Sequence, residues 1–342
     1  MKSKVFGKLP KGDRFQRISQ SPQFRNGAFQ NIHSTPVMSP DSSWWQILRA
    51  YWNKPAGMAP SAPLPFIKTD LLKPDSHNHS VVWFGHSSYL IQLNGINILV
   101  DPVFSGHASP VPFMVKAYAG SNTYTPDDLP PIDLLVQTHD HYDHLDHNTV
   151  TALRKKTRQV IAPLGVGAHF EHWGYSPEII TELDWWESAE PLAGIKLTAV
   201  PGRHFSGRGL SRGKTLWAGF VLKTPEQNLF LGGDSGYSEH FREIGQKYGP
   251  FELAILECGQ YNKHWPFIHM MPEQTAQAAA DLGAKLLLPV HWAKFTLSLH
   301  PWNEPIDRVL KKASELGIAV TTPKIGEPVE LGRPYPVSEW WK

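Results

Sequence analysis

A histidine-rich segment directly after an apolar run constrains this chain more than any other part of its sequence. The run 132–136 has the composition of a buried strand, and His139, His141, Asp143 and His144 follow it closely. Side chains alternate between the two faces of a strand, so the turn after it can bring the first two histidines to one metal ion and Asp143 and His144 to a second. Imidazole and carboxylate are common ligands of zinc and of harder divalent metals. The segment therefore predicts a metal site, and a histidine-rich surface loop is the weaker interpretation.

Three other apolar runs end in a residue of the same chemistry. His204 follows the run 195–200, Asp234 follows 228–232, and His291 follows 285–289. One histidine at a strand end is more often structural than a ligand, but four strand ends of this kind in one chain support one another. The candidate metal ligands are His139, His141, Asp143, His144, His204, Asp234 and His291.

The order of the predicted elements indicates an α/β protein. Strands are predicted at 81–84, 89–93 and 96–100, and Asn94-Gly95 predicts a tight hairpin between the last two. Further strands are predicted at 133–137, 159–162, 195–200, 216–223, 228–232, 253–257 and 285–289, and helices at 147–156, 238–248, 272–282 and 304–316. Two sheets packed face to face, with helices outside, account for this order. Residues 1–78 have little periodicity and many turn residues, so we expect an N-terminal arm there and one catalytic domain over 79–342.

Charge and composition argue against several classes of protein. Lys+Arg total 33 against Asp+Glu 31, and this near-balance argues against a nucleic-acid partner. The single cysteine, Cys258, excludes an internal disulfide and slightly favours a reducing compartment. No apolar run is long enough to span a bilayer, and the N-terminus lacks the apolar stretch of a secretory signal. We therefore expect a cytoplasmic protein; the sequence does not indicate its oligomeric state.

A tryptophan-rich segment interrupts the predicted arm at residues 43–52. Trp44, Ile47, Leu48 and Tyr51 have helical spacing on one face of this segment. The first interpretation is a short helix docked on the core. The second is peripheral contact with a membrane, because tryptophan favours the boundary between water and lipid. The apolar loop 109–115 offers a second surface for such contact.

The order of the candidate ligands, and the residues around them, resemble the metallo-β-lactamase superfamily. The segments 83–88, 100–104, 141–146, 232–237 and 289–292 are similar to the branch that contains N-acyl-phosphatidylethanolamine-hydrolysing phospholipase D and its bacterial relatives. The resemblance covers residues 80 to 300 approximately and implies an αββα sandwich with a binuclear site at one edge of its sheets. Cys258 lies away from all ligand positions, so the cysteine ligand of many β-lactamases is missing and β-lactam hydrolysis is set aside.

The resemblance also implies a role for each candidate residue. It assigns His139, His141 and His204 to one metal ion, Asp143, His144 and His291 to the other, and Asp234 to a bridging position. Asp101 and His269 match positions beside the site. Two divalent ions are implied, with zinc as the first choice and manganese or iron as alternatives.

This ligand set predicts hydrolysis by a metal-bridging hydroxide. Asp143 is expected to orient the hydroxide and accept its proton while it remains a ligand. The basic, glycine-rich loop 202–215 contains Arg208 and Arg212, which we expect to bind a substrate phosphate; the alternative is a mobile, solvated loop. The first hypothesis is a phosphodiesterase of the N-acyl-phosphatidylethanolamine phospholipase D type, acting on a phospholipid. A small-molecule hydrolase, such as a sugar-phosphate lactonase, is the second hypothesis, and a nuclease is the third.

Overall fold

A computed structural model describes residues 4–39, 41–72 and 79–342. The predicted boundary of the arm at residue 78 lies outside the described residues. Within the arm, the structure contains a short 3-10 helix (Lys4–Phe6), helix α1 (Gly12–Gln20), a hairpin of β1 (Phe24–Arg25) and β2 (Ala28–Phe29), and helix α2 (Trp44–Trp52). The arm therefore has more regular structure than its sequence predicts.

Two seven-stranded sheets form the body of the described protein. The order of the first sheet, from one edge to the other, is β16, β3, β4, β5, β6, β7 and β8. Its strands are β3 (Ser80–Trp83), β4 (Tyr89–Leu93), β5 (Ile96–Val100), β6 (Ile132–Val136), β7 (Thr157–Pro163), β8 (Ile180–Leu183) and β16 (Pro328–Glu330). The strands from β16 to β5 pair antiparallel, and those from β5 to β8 pair parallel.

The second sheet has the same division into two kinds of pairing. In chain order its strands are β9 (Ser188–Leu192), β10 (Ile195–Val200), β11 (Gly219–Lys223), β12 (Asn228–Leu231), β13 (Leu253–Glu257), β14 (Leu286–Val290) and β15 (Ala319–Val320), and they are neighbours in that order. The strands β9 to β12 pair antiparallel, and β12 to β15 pair parallel. The carboxyl ends of parallel strands meet at one edge of a sheet, where ligands usually bind.

The main core lies between the two sheets. Ile91 and Ile98 of the first sheet are buried there together with Leu197 and Phe230 of the second. Because side chains alternate along a strand, the neighbouring Leu90 faces the other way, into a separate apolar cluster.

Helices cover the outer faces of the sheets. The helices α3 (His147–Leu153) and α4 (Gly167–His172) contribute to the cluster behind the first sheet, and α5 (His240–Tyr248), α6 (Pro272–Asp281) and α7 (Glu304–Leu316) lie against the second. Two short 3-10 helices, Pro126–Asp128 and Pro177–Ile179, complete the regular elements. This arrangement confirms the predicted αββα sandwich. Among the residues that the structure describes, none of the helices has the length and apolar composition that a membrane span needs.

Several short elements are absent from the sequence prediction. These include the hairpin strands β1 and β2, the edge strands β8, β9, β15 and β16, and the helices α1 and α4. Short edge strands carry few apolar residues, so their alternation is weak and tertiary pairing decides them. In the tryptophan-rich helix α2, Ile47 is buried as expected, but Leu48 is exposed.

Candidate metal centre

The seven candidate ligands meet at one edge of the two sheets. Four of them lie on the turn after β6, and the other three follow β10, β12 and β14. Five of the seven are buried, while His141 and Asp143 are partly exposed. Residues from four distant strand ends therefore form one cluster with an opening toward solvent.

The first group of ligand atoms surrounds His141. Its Nδ1 lies 3.0 Å from Nε2 of His139 and 3.2 Å from Nε2 of His204. Oδ2 of Asp234 lies 3.8 Å from each of these Nε2 atoms. One donor atom from each of the four residues lies within 4.8 Å of the others, a spacing that suits ligands of a single metal ion.

The second group consists of Asp143, His144 and His291, with His86 beside them. Nε2 of His144 lies 3.7 Å from Oδ2 of Asp143 and 3.2 Å from Oδ1 of Asp234. Nδ1 of His291 lies 3.2 Å from the same Oδ1. Asp234 therefore turns one carboxylate oxygen to each group, as a bridging ligand would.

Among the seven candidate ligands, three ligand atoms are buried without a hydrogen-bond partner. They are Nε2 of His144, Nε2 of His291 and Oδ1 of Asp234. A buried polar atom without a partner is costly, and native proteins contain few of them. Cations between these imidazoles and carboxylates would satisfy all three atoms. The residues present therefore fit the two divalent ions that the sequence predicts.

The protonation of the ligand histidines also suits metal binding. Burial is the main cause that holds the pKa of His139, His204 and His291 well below the ordinary value of histidine. A neutral imidazole has the free lone pair that a metal requires. Burial also lowers the pKa of His144, but the neighbouring carboxylates, Asp234 foremost, outweigh it and raise this pKa well above the ordinary value. At this position a bound metal would replace a proton.

Asp101 orients His144. Its Oδ2 accepts a hydrogen bond from Nδ1 of His144 at 2.7 Å, and its Oδ1 accepts from Nε2 of Gln137 and the backbone N–H of Thr138. This bond leaves Nε2 of His144 for the cluster. The structure thus places Asp101 beside the candidate ligands, where the resemblance located it.

His269 borders the cluster together with Glu257. The centre of its ring lies 5.1 Å from that of His204 and 5.2 Å from that of His291. Its Nδ1 lies 2.7 Å from Oε2 of Glu257. Burial alone would lower the pKa of His269, but the Glu257 carboxylate outweighs it and raises this pKa to about 9. The Glu257 carboxylate therefore favours the protonated form of the imidazole that borders the candidate metal ligands.

Two residues of the cluster have no assigned role in the sequence analysis. His86 is fully buried after β3, and its Nε2 lies 2.9 Å from Oδ2 of Asp143. Glu257, the partner of His269, ends the otherwise apolar strand β13. In each case a polar residue at the end of an apolar run was the available signal. For His86 the segment 83–88 was already part of the family resemblance.

The structure corrects the expectation for Arg208. Its side chain is buried and points into the protein, where NH1 donates to the carbonyl oxygens of Asp140 and Leu145 at 2.8 and 2.6 Å. NH2 donates to the carbonyl oxygen of Val5 at 2.8 Å, and the guanidinium lies over the ring of Tyr142. The prediction that Arg208 binds a substrate phosphate is wrong, because backbone carbonyls already occupy this guanidinium.

Arg212 lies in a different environment, on the wall of a cavity beside the cluster. The cavity has a volume of about 400 Å³ and borders His204 and Phe205. The guanidinium of Arg212 is exposed and lies 4.8 Å from the centre of the Phe205 ring, which is 4.6 Å from the ring of His141. Residues of the arm between 28 and 37 form the opposite wall. A role of Arg212 in substrate binding stays a prediction.

Comparisons with known proteins identify sequences and structures that are similar to this chain. A family profile described as a beta-lactamase superfamily domain matches residues 96–292. An uncharacterized protein of Mycobacterium tuberculosis is 38% identical over 94% of this chain and 88% of its own length. N-acyl-phosphatidylethanolamine-hydrolyzing phospholipase D 1 of Caenorhabditis elegans is 30% identical over 69% of this chain and 70% of its own. Among solved structures, Igni18, a metallo hydrolase of Ignicoccus hospitalis, has a TM-score of 0.58 at 19% identity, covering 75% of this chain and 100% of that one.

Proposed function

Because this chain belongs to the metallo-β-lactamase superfamily and is a metal-dependent hydrolase, we propose that it hydrolyses a phosphodiester of the N-acyl-phosphatidylethanolamine type. The observation that carries this proposal is the convergence of seven imidazole and carboxylate ligands around two positions joined by Asp234. The phosphodiester class is supported by the Caenorhabditis elegans relative, whose name states that substrate. Zinc is the metal we propose, because imidazoles predominate among the donors.

Two divalent ions at this site would acidify a water molecule and stabilise charge on the phosphoryl oxygens. Asp143 would orient this water and accept its proton. Burial by itself raises the pKa of Asp143, but His144 and His86 outweigh it and hold this pKa well below the ordinary value. The carboxylate is therefore ionised, and His86 fixes its direction through the contact at 2.9 Å.

The leaving alcohol needs a proton when its bond to phosphorus breaks. The imidazole of His269 borders the same cluster, and the carboxylate of Glu257 favours its protonated form. We assign His269 to hold an anionic oxygen of the substrate or to protonate the leaving group. Water then supplies the oxygen of the new bond to phosphorus, and the alcohol leaves with the proton.

The cavity beside His204 supports a substrate with both a charge and apolar parts. Arg212 offers a cation on its wall, and Phe29, Phe205 and Trp217 offer apolar surface. A phospholipid has both features. We therefore propose a phospholipid substrate, reached by peripheral contact with a membrane through the exposed residues of helix α2.

The test is a mass-spectrometric turnover assay on zinc-loaded protein. It offers N-acyl-phosphatidylethanolamine in micelles, a soluble phosphodiester, a phosphorylated lactone and a neutral ester in parallel. We expect release of N-acylethanolamine and phosphatidic acid. Asp143→Asn should lower the rate by at least about 10²-fold, since it removes the proton acceptor. Arg212→Ala should reduce turnover of phosphorylated substrates more than turnover of a neutral ester.

The controls separate the two main hypotheses. Circular dichroism and zinc content establish whether Asp143→Asn is folded and loaded, so that a lost rate reports chemistry. Turnover of the lactone without turnover of the lipid would assign the same site to small-molecule hydrolysis. Wild-type rates in folded Asp143→Asn would contradict its role as proton acceptor.

A further inference from the structure

The loop that carries His204 has no regular secondary structure. It connects β10 to β11 and contains Gly202, Gly207, Gly209 and Gly213. Glycine-rich backbone loses much conformational freedom when it is ordered, so a ligand on such a loop is held only by the contacts that the loop makes. These contacts decide how well His204 is placed for a metal ion.

The side-chain amide of Asn31, in the N-terminal arm, pairs with both backbone polar groups of His204. Nδ2 of Asn31 donates to the carbonyl oxygen of His204 at 2.7 Å, and the backbone N–H of His204 donates to Oδ1 of Asn31 at 3.1 Å. The imidazole is held separately, by a 2.8 Å hydrogen bond between its Nδ1 and the carbonyl oxygen of Ile268. Asn31 thus fixes the backbone position of His204, and Ile268 fixes the rotation of its ring.

The arm is anchored to the same loop on both sides of Asn31. Before it, the backbone N–H of Phe29 donates to the carbonyl oxygen of Gly213 at 2.7 Å. After it, Oγ1 of Thr35 accepts a hydrogen bond from Nε of Arg203 at 3.0 Å. Asn31 is therefore presented to His204 from a segment that is tied to both ends of the loop.

The beginning of the arm supports the turn that carries the other ligands of the first group. The carbonyl oxygen of Val5 accepts two hydrogen bonds from Arg208, whose NH1 reaches the carbonyl oxygens of the turn after β6. The backbone N–H of Lys8 donates to Nδ1 of His169 at 3.1 Å, and Nε2 of His169 lies 3.2 Å from Oδ2 of Asp140, which follows His139 in the chain. The arm thus contacts the side chains that hold the turn after β6 in place.

We propose that Asn31 is a positioning residue of the metal centre and that the arm sets the affinity of the His139, His141 and His204 position for its ion. The inference rests on the proposed function, since it concerns the same two metal positions. Loss of Asn31 frees the backbone of His204, so its imidazole must be ordered again whenever a metal ion binds. Asn31 bonds the backbone of none of the three ligands Asp143, His144 and His291, so the position that they form should keep its affinity.

The experiment is a zinc-release titration of the whole protein with a competing chelator, with bound zinc measured by mass spectrometry. Wild-type protein should hold two zinc ions. In Asn31→Ala, one of the two should be released at a roughly 10–100-fold lower chelator strength, as expected when a supporting partner of a ligand is lost. In Asn31→Asp the shift should be smaller, because the carboxylate still accepts from the N–H of His204 but cannot donate to its carbonyl oxygen.

Gln16→Ala provides the matched control, since Gln16 is an exposed amide on helix α1 of the same arm. Its release curve should coincide with that of the wild type. Unchanged release of both ions from Asn31→Ala would overturn the inference, and so would an equal shift of both ions with a lowered unfolding temperature, which would indicate general destabilisation. If Asn31→Ala does not fold, Asn31→Asp takes its place in the test. Easier release of one of its two zinc ions supports the inference, and unchanged release of both overturns it. Wild-type protein that binds no zinc would instead overturn the proposed function itself, and the inference with it.

Discussion

Three buried residues in or beside the cluster have backbone conformations that are uncommon outside glycine. The φ angles of His86, Asp101 and His291 are 54°, 42° and 68°. Such conformations cost on the order of 1–3 kcal/mol each and persist only where the surroundings enforce them. Here they aim three polar side chains from three different loops at one place. These conformations therefore place side chains at the site and do not stabilise the fold.

Lys294 is part of the surroundings that enforce them. Its side chain is fully buried, and its Nζ donates to the carbonyl oxygens of Phe84 at 3.1 Å and Val103 at 2.9 Å. These two oxygens lie close in sequence to His86 and Asp101. The amino group of Lys294 therefore joins the two loops that carry these residues.

The stability of the protein should depend on pH through Lys294. Burial lowers the pKa of Lys294 to about 7, so between this value and the ordinary 10.5 the unfolded chain holds a proton that the folded chain lacks. The free energy of unfolding should therefore rise with pH in this window, by about 1–3 kcal/mol from roughly pH 7 to pH 9. Urea unfolding of wild type and Lys294→Met at several pH values measures this. The free energy of unfolding of the wild type minus that of Lys294→Met should increase with pH. Parallel curves would show that Lys294 does not titrate there.

Helix α2 is the element whose surface is least explained by packing. A capping box begins the helix, in which Ser43 and Gln46 exchange hydrogen bonds of 2.8 and 3.2 Å. Ile47 is buried, whereas Trp45 is 80% exposed and Trp52 is 90% exposed. The segment before the helix is joined to the loop that leads to His269 by a 2.8 Å hydrogen bond between Ser42 and His264. The exposed tryptophans therefore lie on an element attached to a loop of the candidate site.

Replacing Trp45 and Trp52 together by serine should weaken binding to phosphatidylethanolamine vesicles by about tenfold or more, because the interfacial aromatic surface is lost. Co-sedimentation measures the binding. Turnover of a soluble phosphodiester should stay at the wild-type rate. Val337→Ser removes another exposed apolar residue and should leave vesicle binding unchanged. Equal binding by the double variant and the wild type would mean that helix α2 does not face lipid.

The elements also explain what can be predicted from the sequence alone. Long apolar strands can be recognised from the local sequence. A histidine or aspartate directly after such a strand can be recognised too, as with His291 after β14. The direction of a side chain on an irregular loop is decided by distant partners. The basic loop therefore suggested a phosphate ligand for Arg208, although its partner is the carbonyl oxygen of Val5. Asn31 offers no local signal either, since its partner His204 is 173 residues away.

At the scale of the whole molecule, the cluster joins the two sheets. Ligands from the turn after β6 belong to the first sheet, and His204, Asp234 and His291 belong to the second. Ions bound there would act as a bridge between the two layers. Binding to the folded state alone also stabilises that state by mass action.

Metal removal should therefore lower the unfolding temperature. With zinc at 100 to 1,000 times its dissociation constant, each bound ion stabilises by about 3–4 kcal/mol, and for 342 residues the expected fall on chelation is roughly 4–6 °C per ion. Calorimetry with chelator, and again after zinc is restored, measures it. In Asp234→Ala the chelator should have a much smaller effect, because the bridging carboxylate is gone. If chelation leaves the unfolding temperature of the wild type unchanged, bound ions do not bridge the two sheets.

The contacts of the arm also impose an order of events during synthesis. Val5 is made 203 residues before its partner Arg208. At about 5–20 residues per second, the beginning of the arm waits roughly 10–40 s for the loop to which it binds. During that time the strands β3 to β8 of the first sheet can pair before the arm binds to that loop. The beginning of the arm thus takes its place only after β10 has been made.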